Sequence, residues 1–575
     1  MKRVFVLVIF ILFMFPLFSS EVDARFIETD SPIYAEMDAL YALSTLASPN
    51  TNRPWTESQA RLYLSKIDPN SLNEEGKRLY ESVEEEINKG LRWEYEDGFS
   101  LSGGITFSNE FYAHTNSDFD TEEEWVRSWT DRKPLIRLWG EVSTGEMFYT
   151  SADILYRYGR AAMDDHYGLL KDIMTSDGYI ASYEITDPEN TPYVVSSKYF
   201  SDKLSSNFFT NTQNFSFIWP RRAVFSVGGD RWNVSFSRDI MKLGKSHIGS
   251  LLVDDHSDYT DSFRATFFNK YFTYDWVLLP LNTLTSDSED PTTEARLYMI
   301  HTLDFRIFDR VSLKVSENVM WKYSVFDIGY LNPSFFFHNL NNRSMFNALA
   351  YIEVNAAVTK GLSIYAQYAM DQARAPHEGD GQSDAWGFSL GGEYTFTAAK
   401  GIFTLYSEYL LTSPLLYRRD GVDFIKVSRY YHQGSDNDTY GHIPFFEYIG
   451  YRYGGDTNTL KTGVTYINPS WGDAEFYIQL MEHGEMSIYK SHNKYGNNAD
   501  DANIKDSTPT GDNVLRAVIV SLKGDFDISN ILSWPGISLY GEADWIGTAT
   551  FNKENKTYKD YMTDFQLSLG VSVAI

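Results

Sequence analysis

Cysteine is absent from the 575 residues, which excludes disulfides, cysteine-based metal centres and an acylated N-terminal cysteine. Long apolar runs are absent as well. After the first twenty residues nothing approaches the run of about eighteen that a helix needs to span a bilayer. Positive charge is scarce: 50 Lys and Arg stand against 78 Asp and Glu, a formal net charge of -28. That balance argues against nucleic acid as a partner and against electrostatic attraction to anionic headgroups. Neither a phosphate-binding glycine loop nor a zinc-ligand spacing occurs, so no cofactor is expected.

What is abundant is aromatic, with 40 Tyr and 39 Phe in a chain of slightly negative mean hydropathy. Barrel strands with interfacial aromatic girdles and polar loops have that composition. The pattern is plainest at the C-terminus, where Phe565, Leu567, Leu569, Val571, Val573 and Ile575 alternate with Gln566, Ser568, Gly570, Ser572 and Ala574. Side chains of a strand alternate between its faces. One face here is therefore apolar and the other small or polar, over the length of a tilted membrane-crossing strand. Such a strand is expected to pair with the first strand, because an open edge cannot stand in lipid.

The N-terminus has the form of an export signal: Lys2 and Arg3, an apolar core from Val4 to Phe18, then Val22-Asp23-Ala24 as a small-x-small site. This sets a signal peptide at 1–24. Residues 25–95 follow a helical period. Ser31-Pro32 starts a helix whose Ile33, Met37, Leu40 and Leu43 share one stripe. Thr56 with Gln59 makes a capping box ahead of Ala60, Leu62, Tyr63 and Ile67, and Ser71 with Glu74 another ahead of Leu79, Val83 and Ile87. The expectation is a periplasmic three-helix segment, too small to hold much core alone and leaning on a barrel C-terminal to it.

From 96 to 575 the period is two. Short connections such as Thr144-Gly145-Glu146, Lys360-Gly361 and Ala399-Lys400-Gly401 alternate with long polar segments, among them 158–221, 238–261 and 412–458. Turns and loops of an outer-membrane barrel alternate in this way. The count is eighteen strands, from 99–107 to 563–575, and an even count that starts beside a periplasmic segment must end in the periplasm. The fold class is thus mainly β, a transmembrane antiparallel β-barrel of about 18 strands with a small N-terminal helical bundle. Segment 158–221 has room for two more strands, and the inner connection 524–535 is unusually long.

Several stretches carry a family likeness: Arg53-Pro54-Trp55-Thr56 with Glu57 and Ala60, Ser237-Arg238-Asp239 running into Gly244, Gly249 and Ser250, Glu317-Asn318 with Tyr330, Asn332 and Pro333, and Tyr365 with Asp371. With the export signal, the helices and the barrel, the chain resembles the Wzi-type capsule-assembly proteins of outer membranes over nearly its whole mature length. The resemblance implies an eighteen-stranded barrel with a periplasmic helical bundle near its mouth. It also implies a role in holding exopolysaccharide on the cell surface.

With the greasier face of each strand outward, Arg137, Arg157, Arg222, Arg231, Arg264, Arg306 and Lys314 fall inside the early strands, with Glu141, Asp153 and Asp304. The later strands put Glu353, Asp371, Glu393, Glu408, Glu475, Glu542 and Asp544 inside with no matching base. Two readings stand side by side: a field across the lumen that selects polar solutes, or charges that pair across a filled lumen. Glu317 falls in the lipid-facing phase, which calls for a bulge or a position above the membrane.

Loop 412–458 carries Tyr417, Tyr430, Tyr431, Tyr440 and Tyr448 among Arg418, Arg419, Asp436 and Asp438. Sugar C–H faces pack on aromatic rings while their hydroxyls bond to such polar neighbours, so these tyrosines are the glycan-binding candidates. The alternative is an aromatic belt or an inward-folded plug. The loop at Phe335, Phe336, Phe337 and His338 invites the same two readings. Ser246-His247 and Asp254-Asp255-His256 lack a readable catalytic arrangement, and Asp500, Asp501 and Asp506 lack the spacing of a calcium loop. The functional expectation is a non-enzymatic outer-membrane barrel that binds or helps assemble and retain surface polysaccharide, with a porin-like channel for small polar solutes as the alternative. Its partners would be outer-membrane lipids, surface polysaccharide and the barrel assembly machinery, and the barrel would act as a monomer.

Overall fold

The computed structural model describes residues 22–95, 98–116, 130–157, 219–281, 296–322, 346–372, 384–418, 422–433, 440–486, 508–532 and 536–575, with a few isolated residues between. Three helices lead: α1 (Ile33–Leu43), α2 (Glu57–Leu64) and α3 (Glu74–Ile87). Eighteen barrel strands come next: β1 Phe99–His114, β2 Ile136–Thr144, β3 Phe148–Tyr156, β4 Ala223–Gly229, β5 Trp232–Asp239, β6 Thr260–Phe268, β7 Phe272–Leu281, β8 Arg296–Ile307 and β9 Val311–Lys322. The second half comprises β10 Phe346–Thr359, β11 Leu362–Gln372, β12 Ala385–Ala398, β13 Gly401–Thr412, β14 Thr457–Asn468, β15 Gly472–His483, β16 Asn513–Asp527, β17 Ile537–Asn552 and β18 Thr557–Ala574.

Each strand pairs antiparallel with the next, and the sheet closes on itself. The seam lies where expected. β18 pairs with β1 from Gln566 opposite His114 to Ala574 opposite Thr106, and the last residue completes it, Ile575 N–H to Ile105 O at 2.9 Å. Alternation decides which face is which: Leu569 is 50% exposed on the outer face and Ser568 1% exposed inside. The described barrel closes at eighteen strands, and most of 158–221 lies outside the described residues. β18 begins at Thr557, ahead of the expected start at 563, because backbone pairing with β17 continues past a register shift at Thr548/Thr550 into a polar stretch. Glu317 keeps its outward phase in a β9 ladder without register shifts, so a bulge is excluded as its explanation.

The helices form for the reasons the sequence suggests, with one correction. Thr56 and Gln59 do make a reciprocal capping box. The N-cap of α3 is Asn73, whose side chain accepts from Gly76 N–H; Ser71 lies in a short 3-10 turn and donates to Asp68 O. The helical segment does more than lean on the barrel. Ala42 O at the end of α1 accepts from Gly361 N–H in the β10–β11 turn at 2.9 Å. Gly361 has φ +78°, where an L side chain is strained, and an added Cβ would run into Thr395 O. Ile402 and Ile467 of the wall join the core of the helices.

The largest apolar core sits inside the barrel. Tyr298, Ile300, Met320, Leu349 and Tyr351 point inward from β8, β9 and β10 and pack on chain that enters the lumen. Among the described residues no helix is long and apolar enough to cross a membrane; the strands do the crossing.

Candidate functional site in the barrel lumen

Among the described residues, three of the segments that enter the lumen build its plug. The first is the connection between α1 and α2. Asn50 donates to Asp304 at 3.0 Å, Thr51 to Glu353 at 2.7 Å, and Asn52 to Asp275 at 2.7 Å and to Thr302 at 2.8 Å. Lys314 donates to Thr51 and, at 2.7 Å, to Asn52 Oδ1, and Arg306 donates to Ala47 O and Ser48 O. Short polar side chains on this segment thus satisfy ionised groups on the wall, which burial would otherwise penalise.

The second is the connection between β5 and β6, which folds inward. Its Lys242–Leu243 pairs with Asn52–Arg53, so the first two segments meet as a two-stranded ribbon. Gly244, at φ +127°, brings the backbone where an added Cβ would meet Ser250 Oγ, Tyr351 OH and Glu353. Lys245 then bridges to Glu393 at 2.9 Å, Ser246 Oγ and His247 N–H both donate to Glu408 at 2.6 Å, and the His247 ring stacks on Tyr406 at 3.8 Å.

The third is the connection between β13 and β14. It forms an antiparallel hairpin, Ile425–Gln433 with Tyr440–Tyr448, whose base is buried. Val422, Phe424, Ile425, Val427 and Phe446 pack on Leu251, Leu252 and Val253 of the second segment. Inward-pointing Arg296 holds the hairpin by its backbone, donating to Asp423 O at 2.8 Å and to Ile425 O at 2.6 Å. Tyr417 OH donates to Leu251 O at 2.7 Å, and Asp254 N–H to Ile449 O at 2.9 Å. A hydrogen-bonded path therefore runs from the helices through the lumen to the hairpin.

The predicted lumen charges Arg137, Arg222, Arg264, Arg306, Lys314, Glu353, Glu393, Glu408, Glu542 and Asp544 all lie on inward positions and meet partners. Arg222 forks onto Asp239 with two contacts of 3.0 Å, Arg137 reaches Asp153 at 3.1 Å, and Arg264 reaches Asp275 at 2.7 Å. Glu542 and Asp544 are buried. Arg231 is a correction: it is exposed in the β4–β5 turn, where its side chain meets Asp230 O. The acidic wall is not without bases either. Lys245 serves Glu393, while Lys461 and Lys523 reach Glu475 at 4.0 and 3.0 Å. Lys461 and Lys523 stand at inward positions of β14 and β16 and were available to the same phase argument.

Of the tyrosine candidates, Tyr417 and Tyr448 are 0% and 5% exposed inside the plug. They are not presented to a sugar ring. Tyr430, Tyr431 and Tyr440 pair along the hairpin opposite Ile443, His442 and Gln433. The loop at Phe335 to His338 and the cluster Asp500, Asp501 and Asp506 lie outside the described residues.

Beside the plug the lumen holds two cavities. A cavity of about 940 Å³ runs between β1–β3 and β14–β18, and a second of about 360 Å³ continues from it towards the helices, both lined by Glu28, Arg137 and Arg222. Partial desolvation pushes the Glu28 carboxyl up, but Arg222 and Arg137 beside it outweigh this and hold it below the usual carboxylate range.

These features define a class: an eighteen-stranded outer-membrane β-barrel whose lumen is largely filled by its own chain. No protein-family model and no curated protein matches the sequence. Among solved structures the chain shares the fold of Wzi, described as an outer-membrane protein involved in group 1 capsule assembly in Escherichia coli and a carbohydrate-binding β-barrel. The match has a TM-score of 0.55 at 11% identity and covers 96% of this chain and 99% of that one. OpdQ of Pseudomonas aeruginosa is more distant, with a TM-score of 0.38 at 8% identity over 83% of this chain and 98% of its own. The fold implied by the Wzi-type resemblance is therefore the fold observed.

Proposed function

We propose that this barrel binds surface polysaccharide and helps to assemble or retain it on the cell. The observation that carries this reading is the plug: the hairpin, the inward β5–β6 connection and the α1–α2 connection fill the half of the lumen facing β6–β13. A barrel built to pass solutes has no use for an apolar core inside it, whereas a hairpin rooted in such a core is a rigid base for loops that face outward. Wzi, which has the same fold, is a carbohydrate-binding barrel. The outward band, with Phe236 61%, Leu390 50% and Leu569 50% exposed, suits outer-membrane lipid, and the helices then stand in the periplasm after removal of an export signal.

A porin-like channel for small polar solutes is the second reading, favoured by the cavity beside the plug. Replacing Tyr430 and Tyr431 with Ala tests the first. Polysaccharide retained by cells is expected to fall while the amount of folded barrel stays constant, each stacked ring contributing on the order of 1 kcal/mol. Unchanged retention would remove these rings from the binding surface.

A further inference from the structure

We propose that the larger lumenal cavity is itself a binding site, and that its ligand is a short uncharged saccharide segment; this rests on the polysaccharide reading. Its volume of about 940 Å³ falls in the upper range of small-molecule sites. The space is open to water: Lys523 and Glu28 lie within the barrel, yet their side chains are 48% and 36% exposed.

The walls decide the chemical class. Tyr259, partly exposed, lines the cavity and can take the C–H face of a sugar ring, while the buried Tyr477 and Tyr540 rings carry the ammonium groups of Lys461 and Lys133 at 3.9 Å and so fix those charges at the wall. Between them stand charges already joined to one another: Lys523 to Glu475 at 3.0 Å, Lys133 to Asp525 at 2.9 Å, Lys242 to Asp255 at 3.1 Å, and Arg222 to Asp239. A uronate would have to compete with the carboxylates that already hold these bases, and would add negative charge to a lining of eleven Asp and Glu against nine Lys and Arg. Hydroxyl groups ask for less, since they donate to a paired carboxylate and accept from a paired ammonium without displacing either. An uncharged ligand also fits a protein of net charge -28, because it is indifferent to the small acidic excess of this lining.

The test is calorimetric titration of the purified, detergent-solubilised barrel with short neutral gluco-oligosaccharides and with oligouronates. Two variants fill the cavity from different strands, Gln479→Trp and Ser538→Trp, and heat-modifiable migration confirms that each is folded. The expected result is binding of the neutral series and a loss of about tenfold or more in affinity in both variants, with oligouronates weaker. Neutral binding that survives both substitutions, or oligouronates bound more tightly, would overturn the proposal and leave the polysaccharide reading standing. No binding by the native barrel overturns it too. If cells lacking the protein also retain their polysaccharide normally, the wider reading falls with it.

Discussion

Single side chains carry two separable duties here, meeting lipid and meeting the buried chain. Leu569 does the first, and an Arg in its place at mid-membrane costs about 2 to 4 kcal/mol, whereas Arg at a water-facing lumen position costs far less. Ser568 is the neighbour that alternation offers as a tolerant control, but at 1% exposure it has no room, so Ser538, which lines the cavity, is the right comparison. Leu569→Arg is expected to lower the folded fraction in outer membranes and Ser538→Arg to leave it near native; the reverse order would contradict the assignment of faces. Asn52 does the second duty. It is 0% exposed and serves Asp275, Thr302 and Lys314 together, so Asn52→Ala leaves buried charged groups short of partners and is expected to cost about 2 to 3 kcal/mol. The temperature at which the folded band converts to the unfolded band should drop, and an unchanged temperature would show that the segment is not anchored there.

Among elements, the strands were legible outright, whereas the filling of the lumen was legible only as one of two readings, and the segments that fill it beside loop 412–458 were not. Alternation of the kind seen in β18 fixes a strand, its faces and its partner, and short turns with Gly145 or Gly361 separate one strand from the next. The α1–α2 connection, by contrast, reads as an ordinary Asn- and Thr-rich link, because its partners Asp275, Asp304 and Glu353 are hundreds of residues away. Phase assignment also loses its grip on β7 and β8, where Val277, Leu279 and Ile300 face a lumen that is itself apolar. At the N-terminal element Val22 and Ala24 are buried, Asp23 pairs with Arg61, and Ala24 N–H donates to Glu146 O. Cleavage after Ala24 would remove that contact, so the mature N-terminus is expected upstream of Val22. Intact-mass measurement of the protein from outer membranes checks this, and a mature chain starting at Arg25 would refute it.

The helical segment also titrates. Burial raises the Glu36 carboxyl to about 7, helped by Glu86 and by Asp473 at the start of β15. A carboxyl whose folded pKa lies above its ordinary 4.5 favours the folded state below that value and loses the advantage as pH rises to about 7. Glu36→Gln should therefore match the native protein below pH 4.5 and exceed it above pH 7, by on the order of 2 kcal/mol. Equal melting temperatures at pH 8 would show that Glu36 is ionised at no cost.

For the whole molecule the central claim is that the barrel is stoppered by its own chain and works at its loops rather than through its bore. The plug hairpin is rooted by Arg296, Tyr417 and Lys426, and the connection it rests on is tied in turn to the helices at the far end. Opening the bore would mean dismantling that stack from one mouth to the other. Planar-bilayer conductance of the purified native barrel, beside a variant lacking residues 422–451, tests this most directly. The native protein is expected to give no large, steady conductance and the variant to give one; a native barrel that conducts steadily and to the same extent as the variant would contradict the claim.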